Sequence, residues 1–155
     1  MAEELLYFTC KINNNDSFNE LKSLFNKLKT AKEAGKLHDG DYVLWKSFFT
    51  EEKWSKFWNP SQQELDEYWS LYYSLPAEER DTDPRLKVPW DFESWLDAIA
   101  SAEYTLVSCE SVDQNLGRLE YDAWAFPYGS ADSLRFLLRV FDCDIIEEET
   151  GYRKW

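Results

Sequence analysis

The stretch YTLVSCESVDQNLGRLEYDAWAF, residues 104–126, decides the fold. Residues 104–112 and 119–126 are two apolar, β-prone runs, and Asp113, Gln114, Asn115 and Gly117 lie between them. Two such runs joined by turn residues predict an antiparallel hairpin. In the second run Leu119, Tyr121, Ala123 and Ala125 alternate with Glu120, Asp122 and Trp124. That is the two-residue period of a strand with one covered face.

Working outward, residues 4–12 alternate in the same way. Leu6, Phe8, Cys10 and Ile12 fall on one side, and Tyr7, Thr9 and Lys11 on the other. A turn at residues 13–16 leads to Ser17 and Glu20, which have capping-box spacing. Phe18, Leu21, Leu24, Phe25 and Leu28 then share a helical face, and Gly35 is a stop. Downstream of the hairpin, Ser130 is placed to cap a helix with Leu134, Leu137, Leu138 and Phe141 inside, and residues 144–150 read as a last strand.

Residues 38–100 hold six of the eight Trp. Thr50 can cap a helix whose inner face is Trp54, Phe57 and Trp58. Ser61 and Glu64 form a capping-box pattern ahead of Leu65, Tyr68, Trp69 and Tyr72. Residues 76–89 read as a loop, and Asp91 can cap a helix that buries Trp95, Leu96 and Ile99.

With residues 38–100 set aside, the order is βαββαβ. The expectation is a single α+β domain over residues 1–155. Residues 1–37 and 101–155 would form a ferredoxin-like antiparallel sheet. Residues 38–100 would be a large aromatic-rich helical insertion between the first helix and the second strand, on the sheet edge or its open face.

Composition narrows the function classes. No apolar run approaches the ~18 residues of a membrane span, and the acidic start Met1-Ala2-Glu3-Glu4 lacks the basic region of a secretory signal. The expected compartment is the cytoplasm, with Cys10, Cys109 and Cys143 reduced. The net charge is −13. Residues 1–38 carry six Lys against five acids, and residues 39–155 eleven bases against twenty-five acids. Such a surface disfavours nucleic acid and anionic lipid.

His38 is the sole histidine, and Walker, dinucleotide and nucleophile-elbow patterns are absent. No metal and no cofactor is expected. Carboxylate pairs such as Asp39/Asp41, Asp81/Asp83 and Asp142/Asp144 read first as solvated surface in a chain with thirty acids.

Three features point to binding. The aromatic surplus makes Trp45, Trp54, Trp58, Trp69 and Tyr73 candidate partner-binding residues. The run from Trp124 through Tyr128, Gly129 and Ser130 passes from a strand into a helix start, where free N–H groups can hold a small anion. Glu120, Asp122 and Trp124, joined by Tyr7, Thr9 and Lys11, would make a polar-aromatic open face. The expected function is a non-enzymatic interaction or ligand-binding domain. Its acidic, aromatic surface would meet a basic protein partner or another copy of the chain. The rivals are a small carboxylate-dependent enzyme using Glu110, Glu120 and Asp122, with or without assistance from Mg²⁺, and a homo-oligomeric structural protein.

The charge distribution makes a direct prediction. Duplex DNA should not bind at physiological salt; submicromolar binding at about 150 mM salt in a filter or anisotropy assay would contradict the electrostatic argument.

Overall fold

The computed structural model describes residues 5–37, 41–123 and 131–149. The protein is an α+β structure with one four-stranded antiparallel sheet. The strands are β1 (Leu6–Ile12), β2 (Tyr104–Asp113), β3 (Leu116–Ala123) and β4 (Cys143–Glu149), in spatial order β2-β3-β1-β4. β1 is central because both its edges are paired: Phe8 lies opposite Leu119 on one side, and Ile12 opposite Cys143 on the other.

The alternation read from the sequence sets the faces. Phe8, Cys10, Leu106, Leu119, Tyr121 and Cys143 are buried on one side of the sheet. Helix α1 (Asn15–Glu33) covers them with Leu21, Leu24, Phe25 and Leu28. Helix α7 (Ala131–Val140) adds Leu134, Leu137 and Leu138, with Phe141 just beyond its end. Two local expectations change here. The α1 cap is Asn14, whose side chain accepts the Ser17 N–H, because the helix begins at Asn15 and Ser17 lies within its first turn. Gly117 belongs to β3 rather than to the turn, since the hairpin closes through Gln114 and Asn115 alone.

Between α1 and β2 lie α2 (Tyr42–Lys46), α3 (Glu51–Trp54), α4 (Gln62–Ser74), α5 (Ala77–Arg80), a 3-10 turn at Pro84–Leu86, and α6 (Phe92–Ser101). Residues 76–89 are therefore not a plain loop. Of these, α3 and α6 pack against α1 and α7 rather than on the open sheet face, and α4 meets the 3-10 turn. Phe49 meets Phe57, Phe92, Trp95 and Phe141 at 5.5–5.8 Å. The Trp95 indole N–H donates to the Ser133 carbonyl at 3.0 Å. The Lys32 ammonium of α1 donates to the carbonyls of Ile99 and Ala102 at 2.8 Å, capping the C-terminal end of α6. The physical reason is that the helical layer keeps apolar surface on its outer side, which Phe136, Phe141 and Ala31 present.

The expected inner face of α4 is also corrected. No residue of α4 is buried, and Trp69 is 43% exposed. The helix is held by its own capping box between Ser61 and Glu64 and by side-chain pairs from Gln62 to Asp66 and Gln63 to Glu67. α3 ends at Trp54, so Phe57 and Trp58 follow it in a turn that the Asn59 amide closes onto the Trp54 and Phe57 carbonyls. Cys10, Cys109 and Cys143 are all free and buried, and no described helix is long and apolar enough to cross a membrane.

A polar clasp joins the layers. The Lys53 ammonium, on a side chain that is almost wholly buried, donates to the Ser17 hydroxyl at 2.9 Å and pairs with Glu20 at 3.5 Å. Ser17 donates onward to Asp142 at 3.0 Å, and Asp142 also accepts from Lys56 at 2.6 Å. Asp142 has φ 63°, a left-handed conformation that aspartate tolerates at a helix end.

Two predictions follow from this packing. A Cβ at Gly117 would lie 2.7 Å from two ring carbons of Phe18. Gly117→Ala should therefore lower stability by about 1–3 kcal/mol, with partial recovery in the Phe18→Leu, Gly117→Ala double variant. Urea midpoints measure this, and an unchanged midpoint would refute the close approach. The second concerns pH. The Lys56 hydrogen bond, helped by Ser17, holds the Asp142 carboxyl below its ordinary value. A depressed folded-state value contributes stability that is fully present above the unfolded value near 4 and is lost as pH falls through the folded value. Asp142→Asn should thus cost most at neutral pH and nothing at the acid end. A stability deficit that stays constant down to about pH 2 would rule this out.

Candidate functional site

The residues best placed to meet a partner gather on the aromatic helices. A cleft of about 480 Å³ opens between α2, the turn after α3 and the start of α6, within the range of ordinary ligand sites. Tyr42, Trp54, Trp58 and Phe92 supply its aromatic walls, and Asp91 and Glu93 lie at its edge. Each wall has a local cause. Asp41 caps α2 by accepting the Leu44 N–H, which orients Tyr42 and Lys46. The Asn59 amide and the hydrogen bond from Trp58 N–H to the Trp90 carbonyl, 2.9 Å, fix Trp58. Asp91 caps α6 and so sets Phe92, which packs 5.2 Å from Trp54.

The electrostatics of the cleft are acidic. The Tyr42 hydroxyl donates to Asp97 at 3.0 Å, and that carboxylate raises the Tyr42 phenol above its ordinary value. Against Asp91, Glu93 and Asp97 stands one cation. The Lys46 ammonium lies 4.2 Å from the centre of the Trp54 ring, a cation–π contact in the mouth of the cleft.

From Trp58 a chain of ring contacts leads along α4. Trp58 meets Tyr68 at 5.2 Å, Tyr68 meets Trp69 at 5.1 Å, and Trp69 stacks on Tyr73 at 6.0 Å. Tyr73 is 72% exposed. The Arg80 guanidinium lies 4.5 Å from the Tyr72 ring, repeating on α4 the pairing of Lys46 with Trp54.

The candidates named from sequence separate. Trp54, Trp58, Trp69 and Tyr73 share this surface, whereas Trp45 is buried edge-on to Phe48 in the core. Glu120 and Asp122 lie on the sheet face opposite the helices, both half-buried. Glu120 accepts the Ser108 hydroxyl at 2.8 Å. Glu110 pairs with Lys22 of α1 at 3.0 Å. Thr9 and Tyr7 join that face, where the Arg118 guanidinium lies 4.4 Å from the Tyr7 ring and donates to Thr9. Trp124, Tyr128, Gly129 and Ser130 lie outside the described residues, as does His38. Among the described residues no group of three or more His, Cys, Asp or Glu side chains is arranged to hold a metal ion. Burial pushes the Cys109 thiol up to about 12.

Sequence reasoning missed Tyr42, Lys46 and the acidic rim. The available signal was Asp41 three residues before Leu44, an N-cap spacing ahead of Tyr42 and Trp45. Comparison with protein-family models, curated proteins and solved structures finds no match to this chain.

Proposed function

We propose that this chain is a non-enzymatic binding domain that captures a basic protein segment on the acid-rimmed aromatic surface running from Trp54 and Trp58 to Tyr73. The observation that carries the reading is Lys46 over Trp54 beside Asp91 and Glu93. Lys46 is exposed and tethered by one flexible stem, so a partner's lysine or arginine can take the same seat. Exchange of one cation for another keeps the Trp54 ring face covered, in a lining that also holds Asp91 and Glu93. The exposed rings of Trp69 and Tyr73 would then be covered, each contributing roughly 1.5–3 kcal/mol before ordering costs. The net charge of −13 would steer a basic partner into the encounter.

The frame that presents this surface fits a ferredoxin-like arrangement. Chain order β1, α1, β2, β3, α7, β4 with spatial order β2-β3-β1-β4 supports that reading, with residues 38–100 as an insertion and the whole chain as one domain. Three buried free thiols support the cytoplasm as its compartment.

The test uses a ten-residue Lys/Arg/Leu peptide and its Glu-substituted counterpart, titrated by calorimetry and by tryptophan fluorescence. The basic peptide should bind and weaken with added salt. Glu93→Lys, and the Trp69→Ala, Tyr73→Ala double variant, should each reduce affinity by about tenfold with melting temperature kept. Equal binding of both peptides, or unchanged affinity in both variants, would refute the proposal. Sedimentation at several concentrations separates self-association, which would instead cover the same rings with a second copy.

A further inference from the structure

A second cleft has the opposite sign. It lies between the outer face of α7 and residues 86–90, with Tyr68 of α4 at one side, and its volume is about 980 Å³. Its lining includes Lys56, Lys87, Arg135 and Arg139 against the single acid Asp132. In a chain of net charge −13, four cations line one concavity; Asp142, Asp132 and Glu148 pair with two of them, and the other two stand unpaired among the described residues.

The four divide into two kinds. Lys56 and Arg135 are held in place. Lys56 donates to the Val140 carbonyl at 3.0 Å and to Asp142, which uses two of its three N–H groups and leaves one. The Arg135 guanidinium grips Glu148 with Nε at 2.9 Å and Nη2 at 3.1 Å, and also meets Asp132. Arg139 and Lys87 are exposed, and neither enters an ion pair among the described residues. The fixed pair therefore shapes the cleft, and the free pair supplies uncompensated charge.

The rest of the lining is aromatic and apolar. Phe136, Trp90 and Tyr68 are half-buried around it, and Leu86 is buried beneath. Trp90 is steadied by the hydrogen bond its carbonyl accepts from Trp58. Rings for a flat apolar body and guanidinium and ammonium groups for a negative end define one ligand class. We infer that this cleft binds a small organic anion with an aromatic body, of about the size of a nucleoside monophosphate. Overall acidity does not oppose this, because distant charges are screened beyond a Debye length of about 8 Å at physiological salt. A nucleic-acid strand would meet the whole acidic surface; a small anion meets only the cleft.

The probes are adenosine monophosphate and 8-anilinonaphthalene-1-sulfonate, with adenosine and inorganic phosphate as half-ligands. The readout is the Trp90 indole N–H resonance, assigned by its loss in Trp90→Phe. One or both aromatic anions should shift that resonance saturably, and each half-ligand should bind at least about tenfold more weakly, since ring and charge are both used. The Lys87→Glu, Arg139→Glu double variant changes two exposed side chains and should fold normally. It should weaken the aromatic anion by about tenfold or more, without weakening the basic peptide on the other surface. Failure of both aromatic anions to move the Trp90 resonance would overturn the inference. So would binding in which the charge-reversed variant is equal to the wild type.

Discussion

The Lys53 ammonium is taken out of water at the junction of three helical segments, and a charge in that position has to be satisfied locally. Its side chain is almost fully buried, with the Phe141 ring 5.4 Å away on one side. A desolvated ammonium costs several kcal/mol unless hydrogen bonds and an opposite charge replace the water. Ser17, Glu20 and the ring face supply those replacements, and Asp142 and Lys56 extend the chain. Rings packed on rings can slide with little loss, because apolar contact is not directional. The clasp removes that freedom: α3 can dock only where Lys53 reaches Ser17 and Lys56 reaches Asp142. Ser17 lies inside the first turn of α1, where its hydroxyl serves the clasp while Asn14 caps the helix.

That docking decides which aromatic surface stays open. With α3 anchored on α1 and the end of α7, Phe49, Phe57, Phe92 and Trp95 are turned inward and become core. Trp54 and Trp58 are then left at the rim, half-covered. The outer face of α7 is left exposed beside residues 86–90, and its arginines line the basic cleft. Two clefts of opposite sign thus arise from one packing decision. Acidic side chains line one cleft and basic side chains the other, within a strongly acidic chain.

The frame was legible because its signals are local and periodic. Alternation in residues 6–12 and 119–123 fixed both strand faces, since a one-residue slip would expose Phe8 and Leu119 together. Leu21, Leu24, Phe25 and Leu28 gave α1 by the same logic at helical spacing. What sequence reasoning could not reach was long-range. Nothing near Lys53 in sequence marks it as a buried charge; its partners are 33 and more positions away, at Glu20 and Ser17. α4 misled for the opposite reason. Its aromatic residues have core spacing, but their partners are one another, so the period was right and the burial wrong. The candidate site was half-legible: an aromatic surplus could be counted, but the acids of the same cleft come from the start of α6, over thirty residues beyond Trp54.

α4 is attached to the rest of the fold at few points. A helix with no buried residue draws little stability from the core, so capping and side-chain pairs of a few tenths of a kcal/mol each must hold it. Its firmest attachment is aromatic, through the Trp58–Tyr68 contact and the Arg80 guanidinium over Tyr72. Such a segment belongs to the low end of the local-unfolding range. Trp58 is shared between the acid-rimmed cleft and this attachment, and Tyr68 between the attachment and the basic cleft. The Trp58–Tyr68 ring pair that attaches α4 therefore joins the linings of the two clefts.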